Sequence, residues 1–297
     1  MKPSSFEYLC PETLEEALAA VAEHGYDAKL LAGGQSLIPL MNFRLAKPGV
    51  LIDLNRIGEL QFLRPGEGGG VAIGAMTRQR VLERDLLLAK TVPLIHEAMP
   101  YIAHPQIRNR GTLGGSLAHA DPASELPALA VATDARFKLQ SIDGERWVDA
   151  KDFYVGLLTT ALGVDEILAE IDVPPMPEGT GWAFMEIARR HGDYAQVGVA
   201  ALISIDENGS CSGARLVYLS VGDGPIDAQQ AAALLKDNGL SEESIAAAAD
   251  LAATQETEPT GDIHASAAYK RHLTKVLTVR AIERAVARAE NHGVISR

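Results

Sequence analysis

Between Thr13 and Gly25 the apolar residues Leu14, Ala17, Leu18, Val21 and Ala22 recur at helical spacing, and Glu16 stands three positions after Thr13. A capping box, an apolar stripe and a glycine stop together predict a helix. An apolar run at 28–32 then meets Gly33-Gly34, and another at 50–54 follows Pro48-Gly49. Both read as buried strands, with 36–45 as the helix that connects them. Strand, glycine turn, helix and strand fit the roughly thirty residues of a βαβ unit.

A turn-rich break at 65–70 opens a second region. There 71–77 reads as a strand, 81–88 and 93–99 as helices, and 122–131 as a helix capped by Asp121 with Pro122 in its first turn. Pro127 inside that last helix counts against its continuity. The segments 137–139 and 147–148 pattern as a hairpin turning at Asp143-Gly144. Pro174-Pro175-Met176-Pro177, followed by Gly179 and Gly181, signals a linker and a domain boundary. Beyond it, 183–189, 197–205 and 214–221 read as a three-stranded antiparallel meander. Helices are predicted at 228–236, 242–253 and 262–289, the last with Tyr269, Leu273, Val276 and Leu277 on one stripe. Strands followed by helices make this part α+β.

Composition narrows the function. The 297 residues include 27 Lys and Arg against 39 Asp and Glu, a formal charge of −12 without a basic run. Nucleic acid and anionic membranes reward cationic faces, so neither is an expected partner. The N-terminus lacks the apolar stretch of a secretory signal, and no window reaches the roughly 18 apolar residues of a membrane span. A cytoplasmic chain is the expectation. At about 150 residues per domain the length suggests two domains. Cys10 and Cys211 are the two cysteines, too few to hold an iron–sulfur cluster or a Cys-rich zinc site. His104 and His119 with Asp121 match no familiar ligand spacing, so no metal site is expected here. There is no Ser/His/Asp triad or carboxylate pair, hence no catalytic residue to name.

Chemistry concentrates in two glycine-rich turns, Leu31-Ala32-Gly33-Gly34-Gln35-Ser36 and Gly111-Thr112-Leu113-Gly114-Gly115-Ser116. Glycines permit positive φ and close backbone approach, so successive amides can converge on a phosphate, with Ser36, Thr112 and Ser116 adding hydroxyls. Neither turn matches a Walker loop or a dinucleotide fingerprint. A single Gly-Gly pair is equally well a tight turn without ligand. Two of them would clamp one diphosphate if the fold brings them together.

The strings LAGGQSLIPLMNFRLAKPGVLIDLNRI, VAIGAMT, IAHPQIRNRGTLGGSLAHADPASELPA and ARRHGDYAQVGVAA, in that order, resemble the FAD-binding medium subunit of molybdenum hydroxylases. This is the family of xanthine dehydrogenase flavin domains and aerobic carbon monoxide dehydrogenase medium subunits. The resemblance extends to the C-terminal pattern of Asp262, Tyr269, Leu273, Val276, Leu277 and Arg280. It implies an α+β fold: a PCMH-type, vanillyl-alcohol-oxidase-like FAD domain of two α/β subdomains at 1–57 and 58–176, then a C-terminal domain at 177–297. FAD would lie between these parts. Ala32, Gly33, Gly34, Gln35 and Ser36, with Leu37 beside them, would hold its pyrophosphate together with Gly111, Thr112, Leu113, Gly114, Gly115 and Ser116. Asp121 would meet the ribose or neighbouring hydroxyls, and Thr77 would line the same cleft. Tyr194 and Ile102 would lie near the isoalloxazine.

Other readings of these residues stay open at this point. Asp121 is also a sufficient helix cap, and Tyr194 a core aromatic with a satisfied hydroxyl. Arg108, Arg110, Arg189 and Arg190 read as solvated surface, or as compensation for diphosphate charge or a partner contact. The resemblance implies an electron-transfer oxidoreductase subunit. Its partners would be a large molybdopterin-molybdenum subunit and a small subunit with two [2Fe–2S] clusters, assembled as a dimer of heterotrimers. The alternatives are a stand-alone flavin oxidoreductase on the same fold and a non-redox nucleotide-binding module.

Overall fold

The structure, a computed structural model, describes residues 1–295. In the first part β1 (Glu7–Leu9) leads into α1 (Leu14–His24), β2 (Ala28–Leu31), α2 (Leu37–Asn42) and β3 (Val50–Asp53). The strands form a parallel sheet in the order β1-β3-β2. Thr13 Oγ1 accepts the Glu16 amide at 3.2 Å, as the capping box requires, but the Glu16 carboxylate takes the amide of Glu12. The buried stripe of α1 is Ala17, Leu18 and Val21. Ala22 faces solvent, so the apolar stripe is narrower than its sequence. α2 is shorter than the 36–45 expected, because the chain turns at Arg44 with φ 59 and folds back on Leu40.

The second part begins with β4 (Leu63–Pro65) and β5 (Val71–Gly74), then a series of short helices. These are α3 (Gln79–Leu82), α4 (Leu86–Thr91), α5 (Pro93–Ala98), α6 (Pro105–Arg108), α7 (Leu113–His119) and α8 (Glu125–Ala132). The single helix expected at 81–88 is two, because the Asp85 carboxylate accepts the Leu88 amide at 2.9 Å and starts α4 afresh. α8 begins three residues later than expected. Asp121 is not its cap; Asp121 Oδ1 accepts the Ala123 amide at 2.9 Å in a turn before it, and Ser124 stands at the N-cap. Pro127 therefore falls in the first turn, where a missing amide proton costs nothing.

β6 (Arg136–Ser141) and β7 (Gly144–Asp149) form the expected hairpin, with its tip at Ile142-Asp143, one residue earlier than read. After α9 (Ala150–Phe153) and the small hairpin of β8 (Tyr154–Gly156) and β9 (Thr159–Thr160) comes β10 (Ile167–Val173). β10 inserts in the middle of an antiparallel sheet ordered β4-β5-β10-β6-β7.

The third part is a sheet of β11 (Thr180–Ala188), β12 (Ala195–Ile205), β13 (Cys211–Leu219) and the two-residue β14 (Ile226–Asp227). The expected meander is there, with β14 as an added fourth strand. Both faces of this sheet are covered, which is why its strands read as continuous apolar runs. Phe184, Ala200, Val217 and Leu219 join the core built around α8, while Val197, Val199, Ile203 and Tyr218 join the core of the C-terminal helices. Those helices are α10 (Gln229–Asn238), α11 (Glu242–Leu251) and α12 (Ala267–Ile295). The buried stripe of α12 runs through Lys270, Leu273, Thr274, Leu277, Thr278 and Ala281. Tyr269, expected on it, is exposed one position to the side, and the buried Lys270 pairs with Asp262 at 2.8 Å. Glu97 on α5 ties the second part to the third: its Oε2 accepts from Trp182 Nε1 at 3.0 Å and from Arg288 Nη1 at 2.7 Å.

Candidate functional site

The two glycine turns meet. A Cβ on Gly33 would lie 2.5 Å from the carbonyl oxygen of Arg110 and 2.7 Å from Gly111 Cα, so only glycine allows this approach. Gly34 follows with φ 73, a conformation that glycine adopts at little cost. The amides of Gly33, Gly34, Gln35 and Ser36 find no acceptor among the described residues. Gln35 Nε2 donates to Gly33 O at 2.9 Å, and Ser36 stands at the N-cap of α2 without using its hydroxyl there. Leu37 opens α2 and is half-buried. Ala32 to Gln35 border a cleft of about 290 Å³ together with Leu31, Ile38, Pro39, Asn42 and Arg110. Free amides at the start of a helix favour an anion.

The second motif departs from the expectation of a nest. Its residues are the first turn of α7, with Thr112 as N-cap and Thr112 Oγ1 accepting the Gly115 amide at 3.1 Å. The amides of Gly111, Leu113, Gly114 and Ser116 are bound by the carbonyls of Ile107, Thr77, Ala75 and Thr112. The glycines serve packing: a Cβ on Gly114 would lie 2.5 Å from Ala75 Cβ, and one on Gly115 3.1 Å from Ala32 Cβ. One turn thus supplies donors and the other a floor packed closely against it through its glycines. Thr77 is buried beneath that floor, where its hydroxyl donates to Phe62 O at 2.8 Å and its carbonyl holds Leu113.

α7 is 7 residues long, about 10 Å, and ends at Ala120 with φ 53, beside Asp121. Tyr194 lies at this far end. It is 69% exposed, yet crowding and then the carboxylates of Asp121 and Glu125 raise its phenol pKa. Its loop seats on the one after Ile102, since a Cβ on Gly192 would lie 2.5 Å from His104 Nδ1 and 2.8 Å from Ala103 O. Ile102 itself is buried in the core, and its carbonyl accepts from Arg108 Nη1 at 2.8 Å. Arg108 is not surface: it is 4% exposed and pairs with Glu83 at 2.9 Å, a structural role. Arg189 reaches His264 Nδ1 at 3.0 Å and Asp193 at 3.7 Å.

Two carboxyl groups at this end were not anticipated. Glu125 opens α8, a helix buried on every side, and burial pushes its pKa up to about 7, with Asp121 adding to the shift. Glu186 on β11 is pushed up to about 8 by burial and then by Glu125, and its Oε2 has no hydrogen-bond partner among the described residues. A lone acid in the otherwise apolar stretch from Glu125 to Ala132 was the available signal for the first. Both folded pKa values lie above the unfolded value of 4.5, so the contribution of the protonated carboxyls is full below that pH, falls away progressively above it, and is gone once pH has passed about 7 for Glu125 and about 8 for Glu186. Glu186→Gln is therefore expected to unfold at a higher temperature than wild type at pH 8.5, the difference shrinking toward pH 5. A pH series of thermal unfolding of the apoprotein checks this, and parallel curves for the two proteins would contradict the burial of an ionisable group at Glu186.

A model of the FAD binding domain in molybdopterin dehydrogenase matches residues 4–176. The chain belongs to this family. A second model, the CO dehydrogenase flavoprotein C-terminal domain, matches 182–285. The 6-hydroxypseudooxynicotine dehydrogenase complex subunit alpha of Paenarthrobacter nicotinovorans is 44% identical over 289 residues, 97% of either chain. The carbon monoxide dehydrogenase medium chain of Hydrogenophaga pseudoflava is 40% identical over 288 residues, 97% of this chain and 99% of that one. A solved structure of the carbon monoxide dehydrogenase from that organism, lacking the Mo-pyranopterin moiety of the molybdenum cofactor, superposes with a TM-score of 0.93 at 41% identity. It covers 97% of this chain and 99% of its counterpart.

The chain is thus a FAD-binding medium subunit of the molybdenum hydroxylases, an oxidoreductase component whose cofactor is FAD, and its fold is that of the family's flavin subunits. The residues present fit a dinucleotide. The Gly33 approach and the free amides beside it suit a diphosphate. Among the described residues no helix is long and apolar enough to cross a membrane.

Proposed function

We propose that this chain is the electron-transfer subunit of a molybdenum hydroxylase. Electrons would arrive from two [2Fe–2S] clusters on a small partner subunit, after substrate oxidation at a molybdenum cofactor on a large one, and leave to an external acceptor. The assembly would be a cytoplasmic dimer of heterotrimers. The medium subunit would consist of flavin subdomains 1–57 and 58–176 and a C-terminal domain 177–297. The contact between the two glycine turns carries this reading, because it brings a distant segment up against the free amides of Gly33 to Ser36.

Bound FAD supplies electron exchange with both one-electron and two-electron partners. Ala32 to Ser36 would bind its diphosphate through free amides, with Thr112, Gly115 and Ser116 as the floor and Arg110 at the rim. Asp121 and Tyr194 would orient the far end from either side of the cleft. Glu125 and Glu186 hold protons near neutral pH on carboxyl groups largely withdrawn from water, so that end carries less negative charge than its composition implies. Cys10 and Cys211, both free, cannot hold an iron–sulfur relay, which supports delivery of electrons from another chain.

Purification of the chain from its native source is expected to bring down one chain containing molybdenum and one containing iron and labile sulfide, with near one FAD per medium subunit. Recovery of the flavoprotein alone, with turnover of an organic substrate, would make it a stand-alone oxidoreductase. A bound phosphate ligand without a flavin absorption band would make it a nucleotide-binding module.

A further inference from the structure

Among the described residues no hydrogen bond passes directly between 32–37 and 110–116, although the two turns touch. The polar connection runs underneath. Asn55 sits in the turn after β3, its backbone amide held by Asp53 Oδ1 at 2.9 Å. Its Nδ2 donates to Ala32 O, the first turn, at 2.9 Å. Its Oδ1 accepts from Arg78 Nη2 at 2.6 Å, and Arg78 Nη1 donates to Arg110 O, at the start of the second turn. Arg110 O is also the atom that a side chain on Gly33 would strike. Tyr8 anchors the far end by donating to Asp53 Oδ2 at 2.6 Å.

Resting on the assignment of the diphosphate to these turns, we propose that Asn55 and Arg78 form a strut that fixes the separation of the two glycine turns and so positions the FAD-binding amides. Neither side chain is a surface decoration. The Asn55 amide uses both ends, one on each arm of the strut, and the planar guanidinium holds Nη1 on Arg110 and Nη2 on Asn55 in a fixed fork, whereas the three donors of an ammonium radiate from a single nitrogen. Charge agrees with this placement. Burial and then the like charge of Arg110 disfavour the Arg78 cation, and an anion in the cleft would relieve both guanidinium groups.

The test is FAD affinity of the reconstituted chain, by flavin fluorescence titration, in Asn55→Ala, Arg78→Met, the double variant and Arg78→Lys, with the thermal midpoint of each apoprotein as a check on folding. Hydrogen bonds to charged groups justify an expected loss of about tenfold or more in each single variant. Residues acting as one strut are coupled, so the double variant should bind no worse than the weaker single one. Arg78→Lys should recover little of the loss, even where its thermal midpoint equals that of wild type. Full affinity in either single variant, additive losses in the double, or complete rescue by lysine would each overturn the strut. Gly115→Val separates this from the underlying site: FAD retained there would refute the placement of the diphosphate, whereas FAD lost there and retained in Asn55→Ala would refute the strut alone.

Discussion

Gly33→Ala is expected to yield a folded chain that purifies without FAD. The added methyl carbon would sit 2.5 Å from Arg110 O and 2.7 Å from Gly111 Cα, and both are backbone atoms that cannot swing aside. Relief to ordinary contact requires the two turns to part by about 1 Å, the scale of misplacement that dismantles a positioned site. That movement shifts the free amides of Gly33 to Ser36 relative to the floor at Gly115. Each charge-assisted hydrogen bond to a diphosphate contributes about 1.5–3 kcal/mol, so losing two costs on the order of a hundredfold to ten-thousandfold in affinity. The folding cost is smaller, about 1–3 kcal/mol for overpacking. Gly34→Ala makes the useful contrast. Its φ of 73 imposes strain, but its nearest neighbours are the flexible side chains of Ile38 and Leu31, so partial FAD occupancy should survive. Flavin-to-protein absorbance after gel filtration reads both variants. Stoichiometric FAD in Gly33→Ala would remove the turn contact from the binding site.

The same residues show where sequence reasoning reached and where it stopped. The unit from β2 through α2 to β3 was legible because its information is local: an apolar run, a glycine pair and a second apolar run in order. The second glycine motif was misread in mechanism for a tertiary reason. Gly114 and Gly115 look like a turn because glycine weakens a helix, yet Ala75 and Ala32 press on that helix so closely that a Cβ at either position would collide or crowd. Asp121 looked like a helix cap because Asp-Pro is a good start signal, and the chain takes one extra turn before Ser124. β10 went unread although Ala169-Glu170-Ile171-Asp172-Val173 alternates apolar and polar residues at a strand's period; what no local pattern shows is its place between β5 and β6. Asn55 and Arg78 carried no local signal at all. Their roles exist only because the segments that follow β3 and β5, strands of separate sheets, meet at the Asn55–Arg78 hydrogen bond.

Gly181→Val should destabilise the protein more than Gly33→Ala does, with a fall in thermal midpoint of several degrees. Gly181 lies in β11 opposite Ile203, directly under α12. A Cβ there would sit 2.5 Å from the amide nitrogen of Ala289 and closer still to the carbonyl oxygen of Ala285. Ala281, Ala285 and Ala289 are all buried, so helix and sheet approach over small residues and have no side chain to compress. Valine must push α12 off the sheet and loosen the packing of Leu277 and Ile282 against Val199 and Ile203. Overpacking against backbone costs about 3 kcal/mol or more, and at about 2–4 °C per kcal/mol for chains of this size the midpoint should fall by roughly 6–12 °C. The damage should also spread across the seam. Arg288 Nη1 donates to Trp182 O at 2.8 Å and to Glu97 on α5, so displacement of α12 pulls on the flavin-binding part. Hydrogen exchange should accelerate first in β11 and β12 and then in α5, with the parallel sheet of β1 to β3 least affected. A midpoint within a degree of wild type would mean that α12 does not rest on Gly181, and the close packing of the C-terminal helix on its sheet would have to be abandoned.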